Sequence, residues 1–144
     1  MAFTGDFMCN SFKLELLTAE HNFAAAGDSF KIALYDNSAT LTETTATYTA
    51  TGELSATGNY TTTGQALTNI DPVWDTDTAI CDFVDEVFSN ATFTAYGGLI
   101  YNDTHPSDAA CIVLDFGGAK TATAGDFTIQ FPAAAAATAI IRIA

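Results

Sequence analysis

Positive charge is what this sequence has least of. Lys13, Lys31, Lys120 and Arg142 stand against seventeen carboxylates, giving a formal net charge of −13. Proteins hold phosphate backbones through clustered Lys and Arg that displace counterions. Four scattered cations form no basic groove, which argues against direct nucleic-acid binding. Anionic membrane surfaces are disfavoured for the same reason.

Cysteine and histidine are also scarce. Cys9, Cys81 and Cys111 are widely spaced and odd in number, with no CxxC pair. That argues against a zinc site or a disulfide framework, and buried free thiols are expected. No GxSxG, HExxH or phosphate-loop motif occurs. His21 and His105 each lack marked partners, so the first reads as a helix-end residue and the second as a solvated turn residue. No enzyme is expected, and no cofactor or metal. The opening Met1-Ala2-Phe3-Thr4-Gly5-Asp6 has neither a basic region nor a long apolar run, as a secretory leader would. The apolar stretch from Phe131 to Ala144 is too short to span a bilayer and holds Pro132 and Arg142. Synthesis in the cytoplasm is expected.

What is present is apolar and hydroxylated. Hydrophobic residues make up 49%, with eleven Phe, and mean hydropathy is +0.21. Charged residues reach only 15%, against about 25% in a typical soluble domain. Either part of this thinly charged surface is covered in an assembly, or Thr, Ser and Asn keep it soluble. The length of 144 residues suits one domain over 1–144.

One short helix is predicted from Ser11 to about Ala19, capped by Asn10 or Ser11, with Phe12, Leu16 and Leu17 on one side. Strands are predicted for Phe30–Tyr35, for Ala79–Phe83 running on through a kink to Val87-Phe88, and for Thr92–Tyr101 with a bulge at Gly97-Gly98. The turn Asn102–Asp108 leads to Cys111–Phe116, a hairpin partner closed by Gly117-Gly118. Asp126–Phe131 alternates cleanly, and Ala139–Ala144 is the last strand. Residues 40–63 read as extended segments and long loops anchored by Tyr48, Leu54 and Tyr60. Ala133–Ala137 reads as a turn or a single helical turn. The sum is an all-β, single-domain antiparallel β-sandwich or barrel with one short N-terminal helix.

Two clusters remain. Asp71, Asp75 and Asp77 surround Trp74, but the segment lacks the glycine and terminal glutamate of a calcium-binding loop. A solvated acidic loop is expected. Trp74 and Tyr96 have the flat faces on which sugars stack, although packing is the commoner use of such residues.

Strand and turn patterns also carry a resemblance. They run from Asn10-Ser11-Phe12-Lys13 and His21-Asn22-Phe23 to Asp28-Ser29-Phe30-Lys31-Ile32-Ala33-Leu34-Tyr35. They continue in Gly58-Asn59-Tyr60, Gly64-Gln65-Ala66-Leu67-Thr68-Asn69, Gly98-Leu99-Ile100-Tyr101-Asn102 and Val113-Leu114-Asp115-Phe116-Gly117. They close with Gly125-Asp126-Phe127-Thr128-Ile129-Gln130-Phe131-Pro132 and Ile140-Ile141-Arg142-Ile143-Ala144. Over nearly its whole length the chain resembles small structural proteins of tailed bacteriophages. It departs from that pattern at Tyr96-Gly97, where an Arg-Gly pair is expected. The resemblance implies a virion component similar to capsid decoration (cement) proteins. These bind the major capsid protein on the outside of the shell, often as a homotrimer, in particles assembled in the host cytoplasm. A tail-associated subunit (tube, adaptor or fibre component) and a surface carbohydrate-binding module are the alternatives.

Overall fold

Alternating apolar residues and β-branched threonines make this chain a builder of pleated, half-buried surfaces. The computed structural model describes residues 3–144. In chain order the elements are β1 (Phe7–Met8), α1 (Asn10–Leu17), β2 (Phe30–Tyr35), β3 (Gln65–Ala66), β4 (Asn69–Asp75), β5 (Thr78–Phe83), β6 (Glu86–Asn102), β7 (Ala109–Ile129) and β8 (Ile141–Ile143). They form two packed antiparallel sheets, one of five strands ordered β1-β7-β6-β2-β3 and one of three ordered β4-β5-β8. The all-β sandwich with one short N-terminal helix is the architecture that the alternation implies.

Aromatic rings join the layers. Phe23 stacks on Phe30 of β2 with centroids 4.2 Å apart, Phe30 meets Phe83 of β5 at 5.8 Å, and Phe83 meets Phe131 at 5.6 Å. A second group, Tyr60, Phe88, Phe93 and Phe127, fills the far end of the β6–β7 hairpin. Such ring pairs add to what their buried area already contributes.

Several local expectations are corrected. The helix spans Asn10–Leu17, its N-cap is Cys9, and no side chain caps it. The Asn10 N–H bonds instead to the Glu43 carbonyl. Phe12 is fully buried and Leu16 packs half-buried against the core, as expected, but Leu17 is 87% exposed and faces away. The predicted strand from Ala79 to Phe88 is two strands in two sheets, because the chain crosses between layers at Val84-Asp85. Gly117-Gly118 does not end its strand. β7 runs on to Ile129 and absorbs the segment predicted as a separate strand, since β6 is long enough to pair with it throughout. The extra residues sit between the pairs Gly97↔Asp115 and Ala95↔Lys120, so the bulge belongs to β7 rather than to Gly97-Gly98. Gly97 is small for another reason, as a Cβ there would meet the Phe3 ring at 2.4 Å.

Residues 40–63 form long loops without helix, as expected, but their extended pairing is limited to isolated bridges at Thr47 and Glu53, and tyrosines pin the 36–64 segment. The Tyr60 hydroxyl accepts from the Leu34 N–H at 2.9 Å and donates to Glu53 Oε1 at 2.7 Å. The Tyr35 hydroxyl donates to the Thr49 carbonyl, and that of Tyr101 to the Thr63 carbonyl.

Candidate functional site

The segment predicted as an acidic loop around Trp74 is β4, an edge strand. Its three aspartates diverge. Asp71 Oδ1 accepts from the Ala25 N–H at 2.6 Å, Asp75 Oδ2 from the Ala136 N–H at 2.6 Å, and Asp77 from its neighbouring threonine hydroxyls. Each carboxylate holds a different stretch of chain. Among the described residues, no group of three His, Cys, Asp or Glu converges as a metal site would require.

Trp74 faces Ala79 across the ladder, and Ala79 faces Ile143. Opposed residues share a side of a sheet, as do residues two apart along a strand. The side that carries Trp74, Ala79 and Ile143 therefore also carries Cys81, Phe83 and Ile141, which lie in the core. The core-facing side of the small sheet overhangs the core, and its apolar row continues uncovered. Trp74 is 80% exposed and Ile143 60%. With Pro72, Val73 and Asp77 these residues line an open hollow of about 420 Å³. The opposite side is covered by the 132–140 segment, through the Asp75 bond and through Arg142, whose guanidinium donates to the carbonyls of Ala136 and Ala137.

Tyr96 does not join Trp74. It packs against the core from β6 and is no part of the hollow. A second depression of about 720 Å³ lies between β1, β7 and the C-terminal segment, with Phe7, Leu114, Phe116, Phe131 and Ile140 in its walls and Lys120 at its rim.

The histidines depart most from their sequence reading. His21 and His105 stack with centroids 5.9 Å apart and planes 27° from parallel. The His21 side chain is fully buried, and its Nε2 lies 2.8 Å from Glu15 Oε2. His105 Nε2 lies 3.0 Å from Glu20 Oε2. The Thr18 hydroxyl and His105 together hold the Glu20 carboxyl below its ordinary range. Asn102, fully buried at the end of β6, joins His21 to Asp28. No spacing in the sequence marks this cluster. The one local sign is that Glu15 and Glu20 bracket the helix end just before His21.

The three cysteines are buried and free, as expected. Burial pushes the thiols of Cys9 and Cys81 up to about 11 and about 12, and that of Cys111 well above its usual value. They are hydrophobic filling, without thiolate reactivity. No family model, curated protein or solved structure matches this chain.

Proposed function

We propose that this chain is a structural protein of a tailed-bacteriophage virion, and within it a capsid decoration protein. It binds the outer surface of the major capsid protein shell, as a homotrimer, and stiffens the head against the pressure of packaged DNA. It works by covering area on its neighbours, with no bond made or broken. The observation that carries this reading is the uncovered Trp74–Ala79–Ile143 row. Exposed tryptophan in an apolar strip is the type of residue that dominates protein interfaces. Asp77 lines the hollow beside the row and favours a neighbour with a cationic group at the rim of the contact. The strand-and-turn resemblance to tailed-bacteriophage structural proteins is what supports a virion as the setting for that neighbour.

Purified particles test the reading. The protein is expected in a copy number that follows the capsomers, and Trp74→Ala is expected to lose its binding to shells stripped of it. A few copies per particle would move the protein to the tail. Binding to a glycan array that disappears in Trp74→Ala would replace this reading by the carbohydrate one. A chain that never copurifies with particles would end it.

A further inference from the structure

We infer that Asn102 holds His21 as its neutral Nε2–H tautomer, and that a second proton on His21 opens the contact between the α1 end of the chain and the β6–β7 turn. The Asn102 side-chain oxygen accepts from the backbone N–H groups of Thr104 at 2.9 Å and His105 at 3.1 Å. Two backbone donors fix that atom as oxygen, because an amide nitrogen there would face N–H against N–H. The amide nitrogen then donates to Asp28 Oδ2 at 2.8 Å and to His21 Nδ1 at 3.0 Å. His21 Nδ1 is therefore an acceptor. The ring proton sits on Nε2 and is donated to Glu15 Oε2 at 2.8 Å.

A second proton has no acceptor. At Nδ1 it meets the Asn102 amide hydrogens, and Asn102 cannot turn over without losing both backbone donors. The ring is fully buried against Phe12 at 4.9 Å and His105 at 5.9 Å, which excludes water as a substitute partner. The charged groups facing the ring come from every element around it. Glu15 on α1 and Asp28 in the following loop attract a proton. His105 on the turn, bonded to Glu20, becomes a like charge when protonated. Asp103 at the head of the turn is paired with Lys31 of β2 at 3.0 Å. His105 Nδ1 accepts from the Ser107 N–H at 3.3 Å, with Ser107 Oγ 2.9 Å away. At His105 a ring proton would disturb only the turn's own Ser107 bond, whereas at His21 the conflict breaks the link between residues 21–28 and residues 102–108.

Nitrogen-15 NMR of the ring-labelled protein reads the tautomer directly. At neutral pH His21 is expected to show a protonated Nε2 and a bare Nδ1; a protonated Nδ1 overturns the inference. On acidification, amide exchange in 21–28 and 102–108 is expected to rise together by about tenfold, the equivalent of one lost buried hydrogen bond. That rise is expected to follow the His21 titration and precede exposure of β2. Flat exchange while the ring takes its second proton overturns the opening step. His21→Phe keeps an aromatic ring beside Phe12 and cannot protonate, so its exchange is expected to show no acid step. A step that survives in this variant assigns the effect to His105 or the carboxylates and removes the proposal. The wild-type measurements decide the matter alone if the variant does not fold.

Discussion

The backbone N–H of Asp115 on β7 donates to the carboxylate of Asp6 at 2.7 Å. The β1 pairing extends only from Phe7↔Val113 to Met8↔Ile112, and next to it this side chain occupies the position of a further strand. Open strand edges recruit other strands, and charged side chains are a common guard. Asp6→Ala is expected to cost about 1 kcal/mol for the lost bond. It is also expected to give association that grows with concentration, read by light scattering. A variant as monodisperse as the parent would show that the edge is guarded elsewhere.

Glu53 organises the 36–64 segment. Its Oε1 accepts from the Tyr60 hydroxyl and, at 2.6 Å, from the Thr63 N–H, while Oε2 accepts from the Tyr48 hydroxyl at 2.5 Å. Burial and the neighbouring carboxylate push both phenols well above their ordinary range, so they stay protonated donors. Glu53→Ala strands those donors, and a loss of about 2–4 kcal/mol in urea unfolding is expected. Proteolysis between residues 36 and 64 is expected to quicken. Glu53→Gln, which keeps an accepting oxygen, is expected to lose less.

Asp82 is 1% exposed. Its Oδ1 accepts from the Phe83 N–H at 2.9 Å, and its Oδ2 has no hydrogen-bond partner among the described residues. Burial raises its carboxyl above the ordinary range against the pull of the Phe83 and Ile140 backbone N–H groups, and the charge of Asp85 adds a smaller rise. A carboxyl raised by folding stabilises the fold below its unfolded value, and that contribution is lost as pH climbs through the folded value. At neutral pH the buried charge is therefore a cost. Asp82→Asn is expected to be more stable than the parent there by about 1 kcal/mol, the scale of burying a poorly partnered polar group. The gain is expected to disappear in acid, where urea midpoints of the two proteins should converge. A variant less stable at neutral pH would mean that Asp82 has a partner worth keeping.

Trp74→Ala and Ile143→Ser lie on the overhanging row and touch little of the fold. Both are expected to unfold within about 0.5 kcal/mol of the parent, as surface substitutions do. Calorimetry that reports a larger loss would mean that the row is packed in the free protein.

Which parts were legible in the sequence follows from where the signal was local. Phe30–Tyr35 and the turn after Asn102 were readable because period-two alternation and turn residues act within a few positions. β4 was missed because Asp71, Pro72 and Asp75 oppose strand formation. It exists because Asn69–Asp75 pairs with β5, while Asp71 and Asp75 bond to distant backbone. The continuity of β7 was hidden because Thr121–Gly125 has no buried alternation, and its pairing comes from β6. The histidine cluster was invisible for the same reason, since Asn102 reaches His21 only once the chain after α1 has packed against the end of β6. Trp74 was singled out, but its exposure depends on where the opposing sheet ends.

The Gly117-Gly118 bulge offers a place to add cargo. Both glycines have positive φ, and a Cβ at either would meet nothing within 4 Å. The ladder resumes on each side, at Gly97↔Asp115 and Ala95↔Lys120. A foreign peptide spliced between the two glycines would lengthen a loop that already stands clear of the ladder, leaving both flanking registers closed. Loop-closure entropy grows slowly with length, so the graft is cheap.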